Sequence, residues 1–205
     1  MNATKIDLEN WNRKNQYDFF IGFDQPFFNV TVPTDISPIY EQLKKNKQPF
    51  FLSVLHQILR AVHAIPEFRY RLHGTEVYLH EQIDAGVTIL LEDNSFMYCT
   101  IQYEKNLSTF IQRAQASLIE QKHSKGFVPH EQKNIVYVSS LPWLSFTGFQ
   151  HARKTIPDDS IPRFILGKFY EENSKIMLPL STEVHHALAD GFHIGQFYEQ
   201  FKSIQ

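Results

Sequence analysis

Cysteine is nearly missing from this chain: Cys99 is the only one in 205 residues. A lone thiol forms no intrachain disulfide and no thiolate-rich zinc centre. Long apolar runs are missing as well, and no stretch reaches the roughly 18 residues that a membrane helix needs. An excess of one charge is also absent, with 20 Lys and Arg against 22 Asp and Glu and a formal charge of −2. That balance gives no general electrostatic reason to expect a nucleic acid or another polyanion as partner. The opening residues, Met1 to Asp7, lack the apolar stretch of a secretory leader, so the expectation is a cytoplasmic protein with neither membrane nor nucleic acid among its partners. Linkers, repeats and low-complexity tracts are absent too, and one domain over residues 1–205 is expected.

Aromatic residues, by contrast, are plentiful: 18 Phe, 9 Tyr and 2 Trp. So many rings exposed to water would compromise solubility, which suggests that some line a pocket or a subunit contact. Ser37-Pro38 has the form of an N-cap followed by proline at the first helical position, with Ile39, Tyr40 and Leu43 on one face behind it. Phe51, Leu55, Ile58, Leu59 and Val62 recur at helical steps up to Pro66; Leu107, Phe110, Ile111, Ala114 and Leu118 mark a third helix, and Ile194, Phe197, Phe201 and Ile204 a fourth. Between them, Phe28, Val30 and Val32 alternate with polar residues. Three hairpins are predicted: 68–72 with 77–80, 87–91 with 96–101, and 163–170 with 175–185; Ile135 to Val138 reads as a buried strand. Helices and hairpins without regular strand–helix alternation favour an α/β two-layer sandwich with a mixed sheet.

No phosphate-binding glycine loop, nucleophile elbow or dinucleotide fingerprint is present. The outstanding segment is His185-His186-Ala187-Leu188-Ala189-Asp190-Gly191-Phe192-His193, between a strand and a helix. Three readings of it compete. The histidines can be core residues beside an ordinary turn. His186, Asp190 and His193 can be metal ligands on one helical face, although Gly191 and the predicted turn interrupt that helix and no second ligand cluster is evident. Or a histidine at the strand end can act as general base in acyl transfer, since imidazole titrates near neutral pH.

The HHxxxDG pattern resembles the active-site signature of the CoA-dependent acyltransferases, and four further blocks make the chain similar to the chloramphenicol acetyltransferase family. These are Trp11-Asn12-Arg13, Ile65-Pro66-Glu67-Phe68-Arg69, Val138-Ser139-Ser140-Leu141-Pro142-Trp143-Leu144-Ser145-Phe146, and the pair Gly167-Lys168-Phe169 with Met177-Leu178-Pro179-Leu180. The resemblance implies that family's fold and a direct transfer of acetyl from acetyl-CoA to a hydroxyl of chloramphenicol or a similar small apolar alcohol. Acetyl-CoA would be a co-substrate, with no bound cofactor and no metal. It further implies His186 as general base, Ser139 as donor to the oxyanion, and Asp190 with Arg13 as a structural pair. A homotrimer with active sites between subunits is also implied, the base coming from one subunit and much of the acceptor pocket from the next. By the same resemblance Phe19, Phe20, Phe28, Phe96, Phe149, His151 and Ile165 fall in pocket segments, and Phe169 and Lys47 near CoA. No covalent nucleophile is needed on a thioester, so Cys99 reads as a small core residue. His185 and His193 read as packing residues.

Four positions depart from that family's pattern. Ile165 stands where a threonine is usual, Phe20 where some members carry tyrosine, and Pro26 and His151 where Cys and Leu are frequent. All four bear on the acceptor or the reacting centre, and a change of polarity in a pocket changes which acceptor is favoured. The same chemistry on another acceptor, and a weakly active protein that binds CoA or an aromatic ligand, are the alternatives.

Overall fold

The computed structural model describes residues 2–123, 132–153 and 158–203. The chain runs β1 (Ala3–Lys5), α1 (Lys14–Phe20), β2 (Phe27–Asp35), α2 (Ser37–Lys45), α3 (Phe50–Ala64), β3 (Tyr70–His73), β4 (Glu76–His80), β5 (Asp84–Leu90), β6 (Phe96–Ile101), α4 (Leu107–His123), β7 (Ile135–Ser140), β8 (Arg163–Leu166), β9 (Tyr170–Glu172), β10 (Lys175–His185) and α5 (Gly191–Lys202). The large sheet has the order β2-β10-β8-β7-β5-β6, with β9 also paired to β10, and β1-β4-β3 form a small second sheet. Two neighbouring pairs, β5/β7 and β7/β8, are parallel and the rest antiparallel. The mixed sheet is therefore the one expected.

Alternation decides which face of that sheet is covered, because successive strand residues point to opposite sides. Leu178, Leu180 and Val184 of β10 join Val136 and Val138 of β7, Ala85 and Val87 of β5 and Phe164 of β8 in one core. The apolar side of α3, with Leu55, Ile58, Leu59 and Val62, closes over them, together with Phe197 and Phe201 of α5. Each of those side chains contributes about 1.5–3 kcal/mol on full burial, so an aspartate at Ile58 would unseat the helix layer. The residues in between, among them Ser139, Ile165, Ser181 and Glu183, lie on the opposite face, which carries no helix of this core.

A second cluster holds the turn after β10 in place. Ala187 and Leu188 are buried with Trp11, Tyr17, Tyr70, Leu72 and Val77, so the small sheet and α1 grip the residues that follow the histidine pair. Arg71 bolts this sheet to the large one. It is wholly buried and donates to the carbonyls of Lys133 (2.7 Å), Phe68 (3.0 Å), Tyr70 (2.6 Å) and Ile135 (2.6 Å).

Several local expectations need correction. Ser37 is the first helical residue rather than the cap: Asp35 accepts its N–H at 3.0 Å and its hydroxyl at 2.7 Å. Phe68 belongs to a one-turn 3-10 segment, not to a strand. The strand foreseen over 163–170 breaks at Gly167, where a Cβ would lie 2.9 Å from Pro179 Cβ and 3.1 Å from the Leu144 carbonyl. Its hairpin turn is tighter than foreseen, with Asn173 and Ser174 at φ of 50° and 61°. Helix α1 and strand β1 were not anticipated, and Ile204 lies outside the described residues. Among the described residues no helix is long and apolar enough to cross a membrane.

Candidate active site

Strand β10 delivers the chain to His185, whose Nδ1 accepts the Ala187 N–H at 3.2 Å. Burial, with Arg153 and His186 adding to it, pulls His185 down to a pKa of about 4, so it serves as a neutral acceptor. The chain then turns back, with the Leu188 and Ala189 N–H groups both 3.0 Å from the His185 carbonyl. The His186 N–H donates to the Pro26 carbonyl at 2.7 Å, tying the turn to the lead-in of β2. The His186 ring lies flat on Phe20, with centroids 3.9 Å apart and planes at 6°, and Phe28 flanks it at 4.5 Å. Two rings thus fix the imidazole plane. Its Nδ1 is buried and has no hydrogen-bond partner among the described residues. Phe19, largely exposed, packs edge-on against Phe20 at 4.9 Å.

Asp190 caps α5. Its Oδ1 accepts the Phe192 N–H at 3.0 Å, and the Asp190 N–H donates to Nδ1 of His193 at 3.2 Å. Its Oδ2 accepts from Arg13 at 2.8 Å. Burial works to raise the Asp190 carboxyl, but Arg13 and His193 outweigh it and hold the group below the usual carboxylate range. Among the described residues the other guanidinium nitrogens of buried Arg13 have no partner, so loss of Asp190 would strand a buried cation. His193 turns its Nε2 to Glu67, at 3.5 Å. His186, Asp190 and His193 thus occupy a turn, a cap and a helix in succession and share no helical face.

Ser139 sits near the end of β7, on the face away from the helices. Thr88 donates to its Oγ at 3.0 Å. Across the ladders Ser139 is level with Ile165, and Ile165 with Ser181. Ile165 is buried, at 3% exposure. Phe96 opens β6 on the same face and is half exposed. His151 stands edge-on to Phe149 at 4.9 Å, with its Nδ1 3.6 Å from Glu183. Glu183 is paired to Arg153, which also bonds Asp159 at 2.6 Å. A pocket of about 430 Å³ is lined by this pair together with His151, His185, Pro26 and Phe27.

The expected site residues therefore fall into separate groups. Phe20 and Phe28 flank His186, with Phe19 behind Phe20; Ile165 and Phe96 accompany Ser139; Phe149 and His151 form a third group. Five residues at about 3.3 Å each from Ser181 to His186, and two strand spacings of about 4.8 Å, put the backbones of Ser139 and His186 roughly 19 Å apart. The two side chains cannot meet in one copy of the chain. Elsewhere, Phe169 packs with Tyr40 (5.3 Å) and Phe50 (5.2 Å). Lys47, exposed and at φ 51°, lies three residues before Phe50. Sequence reasoning missed Thr88, Glu67 and the Arg153–Glu183 pair; alternation along β5 was the only signal available for Thr88.

The family profile described as "Chloramphenicol acetyltransferase" matches residues 1–202. Chloramphenicol acetyltransferase 2 of Escherichia coli is 33% identical over 200 residues, covering 96% of this chain and 94% of that protein. The chloramphenicol acetyltransferase of Campylobacter coli is 30% identical over 208 residues, covering 100% and 99%. Among solved structures, a chloramphenicol acetyltransferase superposes with a TM-score of 0.88 at 28% identity, covering 98% of each chain. The cubic core of a pyruvate dehydrogenase complex shares the fold, with a TM-score of 0.66 at 18% identity over 98% of this chain and 89% of that one.

Proposed function

The chain is an acyltransferase of the chloramphenicol acetyltransferase family, and from that premise we propose that it transfers acetyl from acetyl-CoA to a hydroxyl of chloramphenicol or a similar small apolar alcohol, with His186 as general base. The observation that carries this reading is the seating of His186. Its ring is clamped on Phe20, its backbone is tied to Pro26, and its Nδ1 is buried. That leaves Nε2 as the nitrogen an acceptor can reach.

Nε2 takes the proton of the acceptor hydroxyl as the oxygen attacks the thioester carbonyl. The C–O bond forms and the carbonyl becomes an oxyanion, to which Ser139 donates. The intermediate collapses, the C–S bond breaks, and the departing CoA sulfur recovers the proton from His186. General-base help supplies roughly 10²–10⁴ in rate, and positioning of the two substrates with oxyanion stabilisation supplies the remainder. Arg13 and Asp190 hold the turn that carries the base. Phe19, Phe20, Phe28, Phe96, Phe149, His151 and Ile165 wall the acceptor, while Phe169 with Tyr40 and Phe50 offers an aromatic shelf for the CoA adenine and Lys47 a charge for its phosphates.

The roughly 19 Å between Ser139 and His186 supports an assembly, a homotrimer in this reading, in which the base of one copy works with the serine of the next. The deciding experiment is CoA thiol release from acetyl-CoA by the purified protein, with and without chloramphenicol, beside His186→Ala. Chloramphenicol-dependent release that vanishes in a folded mutant is the expected result. Release that survives the mutation would remove His186 from its role.

A further inference from the structure

Ser139 offers a single hydroxyl proton and two lone pairs. To stabilise an oxyanion it must donate that proton, so a neighbour that accepts from it would compete with the substrate, whereas a neighbour that donates to it leaves the proton free. Thr88 is a neighbour of the second kind. Its Oγ1 donates to Ser139 Oγ at 3.0 Å. The arrangement follows from register: β5 and β7 run parallel with Val87 level with Val138, so the next residues, Thr88 and Ser139, lie side by side on the same face. On the other flank Ser139 is level with Ile165, whose apolar side chain offers no acceptor. Among the described residues no other side chain hydrogen-bonds the Ser139 hydroxyl.

We propose that Thr88 is a positioning residue: it occupies one lone pair of Ser139 and so aims the serine proton outward, at the thioester oxygen as it becomes an oxyanion. The assignment rests on the reading of Ser139 as oxyanion donor. The threonine suits the task for two reasons. Its β-branched side chain is stiff at χ1 within a strand, and a donor fixed before the reaction needs no reorganisation while charge develops. Ile165, on the other flank, offers the serine proton no side-chain acceptor.

The test compares Thr88→Val, Thr88→Ser and Ser139→Ala with the double variant Thr88→Val/Ser139→Ala, in steady-state kinetics with acetyl-CoA and chloramphenicol. Valine keeps the branching and nearly the volume of threonine, and a thermal melt of each variant checks the fold. Loss of an oxyanion donor costs roughly 10²–10³ in kcat, and loss of its alignment is expected to cost about tenfold. Thr88→Val should therefore lower kcat about tenfold with both KM values little changed, Thr88→Ser should restore it, and Thr88→Val should cost nothing further once Ser139 is alanine. An unchanged kcat in Thr88→Val, or the same loss with and without Ser139, overturns the assignment while leaving the acyltransferase reading intact. A wild-type protein that releases no thiol with any acceptor overturns the role of Ser139 and this assignment with it.

Discussion

If the base and the oxyanion donor of one reaction belong to different copies of the chain, two dead variants should repair each other. His186→Ala lacks the base and is expected to lose roughly 10²–10⁴ in rate, and Ser139→Ala to lose roughly 10²–10³. In a closed ring of copies each site takes its base from one copy and its serine from the next. With the two variants mixed one to one, a given site draws an intact base about half the time and an intact serine about half the time. About one quarter of all sites are then complete, whatever the number of copies in the ring. Activity per site should rise from about 1% or less in either parent to about 25% of wild type. The variants are combined by co-expression, or by joint unfolding and refolding, and assayed by CoA thiol release. A mixture no better than the average of its parents would refute the inference from the register, since complementation requires sites shared between copies.

Two further outcomes follow from groups that take no part in the proton transfer. Among the described residues Arg71 meets four backbone carbonyls and no carboxylate, and although burial lowers it to about 9, it keeps its charge at neutral pH. Arg71→Met should cost about 3 kcal/mol by stranding those carbonyls, read as a lower urea midpoint with an unchanged slope; an unshifted midpoint would dismiss Arg71 as the bolt between the sheets. Burial, the largest cause in each case, pulls His80 and His185 from 6.5 to about 4. In the folded state both therefore stay neutral down to that range, so the unfolded chain binds more protons between about pH 6.5 and 4. Their contribution is complete above about pH 6.5 and is lost as pH falls toward 4. The urea midpoint should fall between pH 7 and pH 5, and less so in His80→Gln; equal falls in both proteins would clear His80 of a part in the loss.

The helices were legible because their apolar spacing is long and regular: Leu55, Ile58, Leu59 and Val62 point to one face in sequence and bury together in the fold. Helix α1 escaped notice because of its seven residues only Tyr17 is buried, so no apolar stripe marks it. The break at Gly167 was hidden for a different reason, since the close approach of Pro179 and Leu144 comes from distant parts of the chain. At the site, resemblance selected His186, Ser139, Arg13 and Asp190, and the structure joins Arg13 to Asp190 directly. The separation of His186 from Ser139 could not be read from the sequence, because it depends on the registers of β10 with β8 and of β8 with β7. Thr88 was invisible for a similar reason: its importance lies in which residue of another strand stands beside it.

Cys99 lies on the core side of β6, wholly buried, and burial lifts its thiol to about 11. At the pH of an ordinary enzyme assay it therefore presents almost no thiolate, and reagents that report free sulfhydryl do not reach it in the folded state. In the turnover experiment that tests the proposed activity, every sulfhydryl such a reagent counts would therefore come from CoA. The same property makes the lone cysteine a gauge of integrity: it stays silent in intact molecules and responds only in those that have opened, so one reagent distinguishes a variant that is folded but inactive from one that has lost its structure.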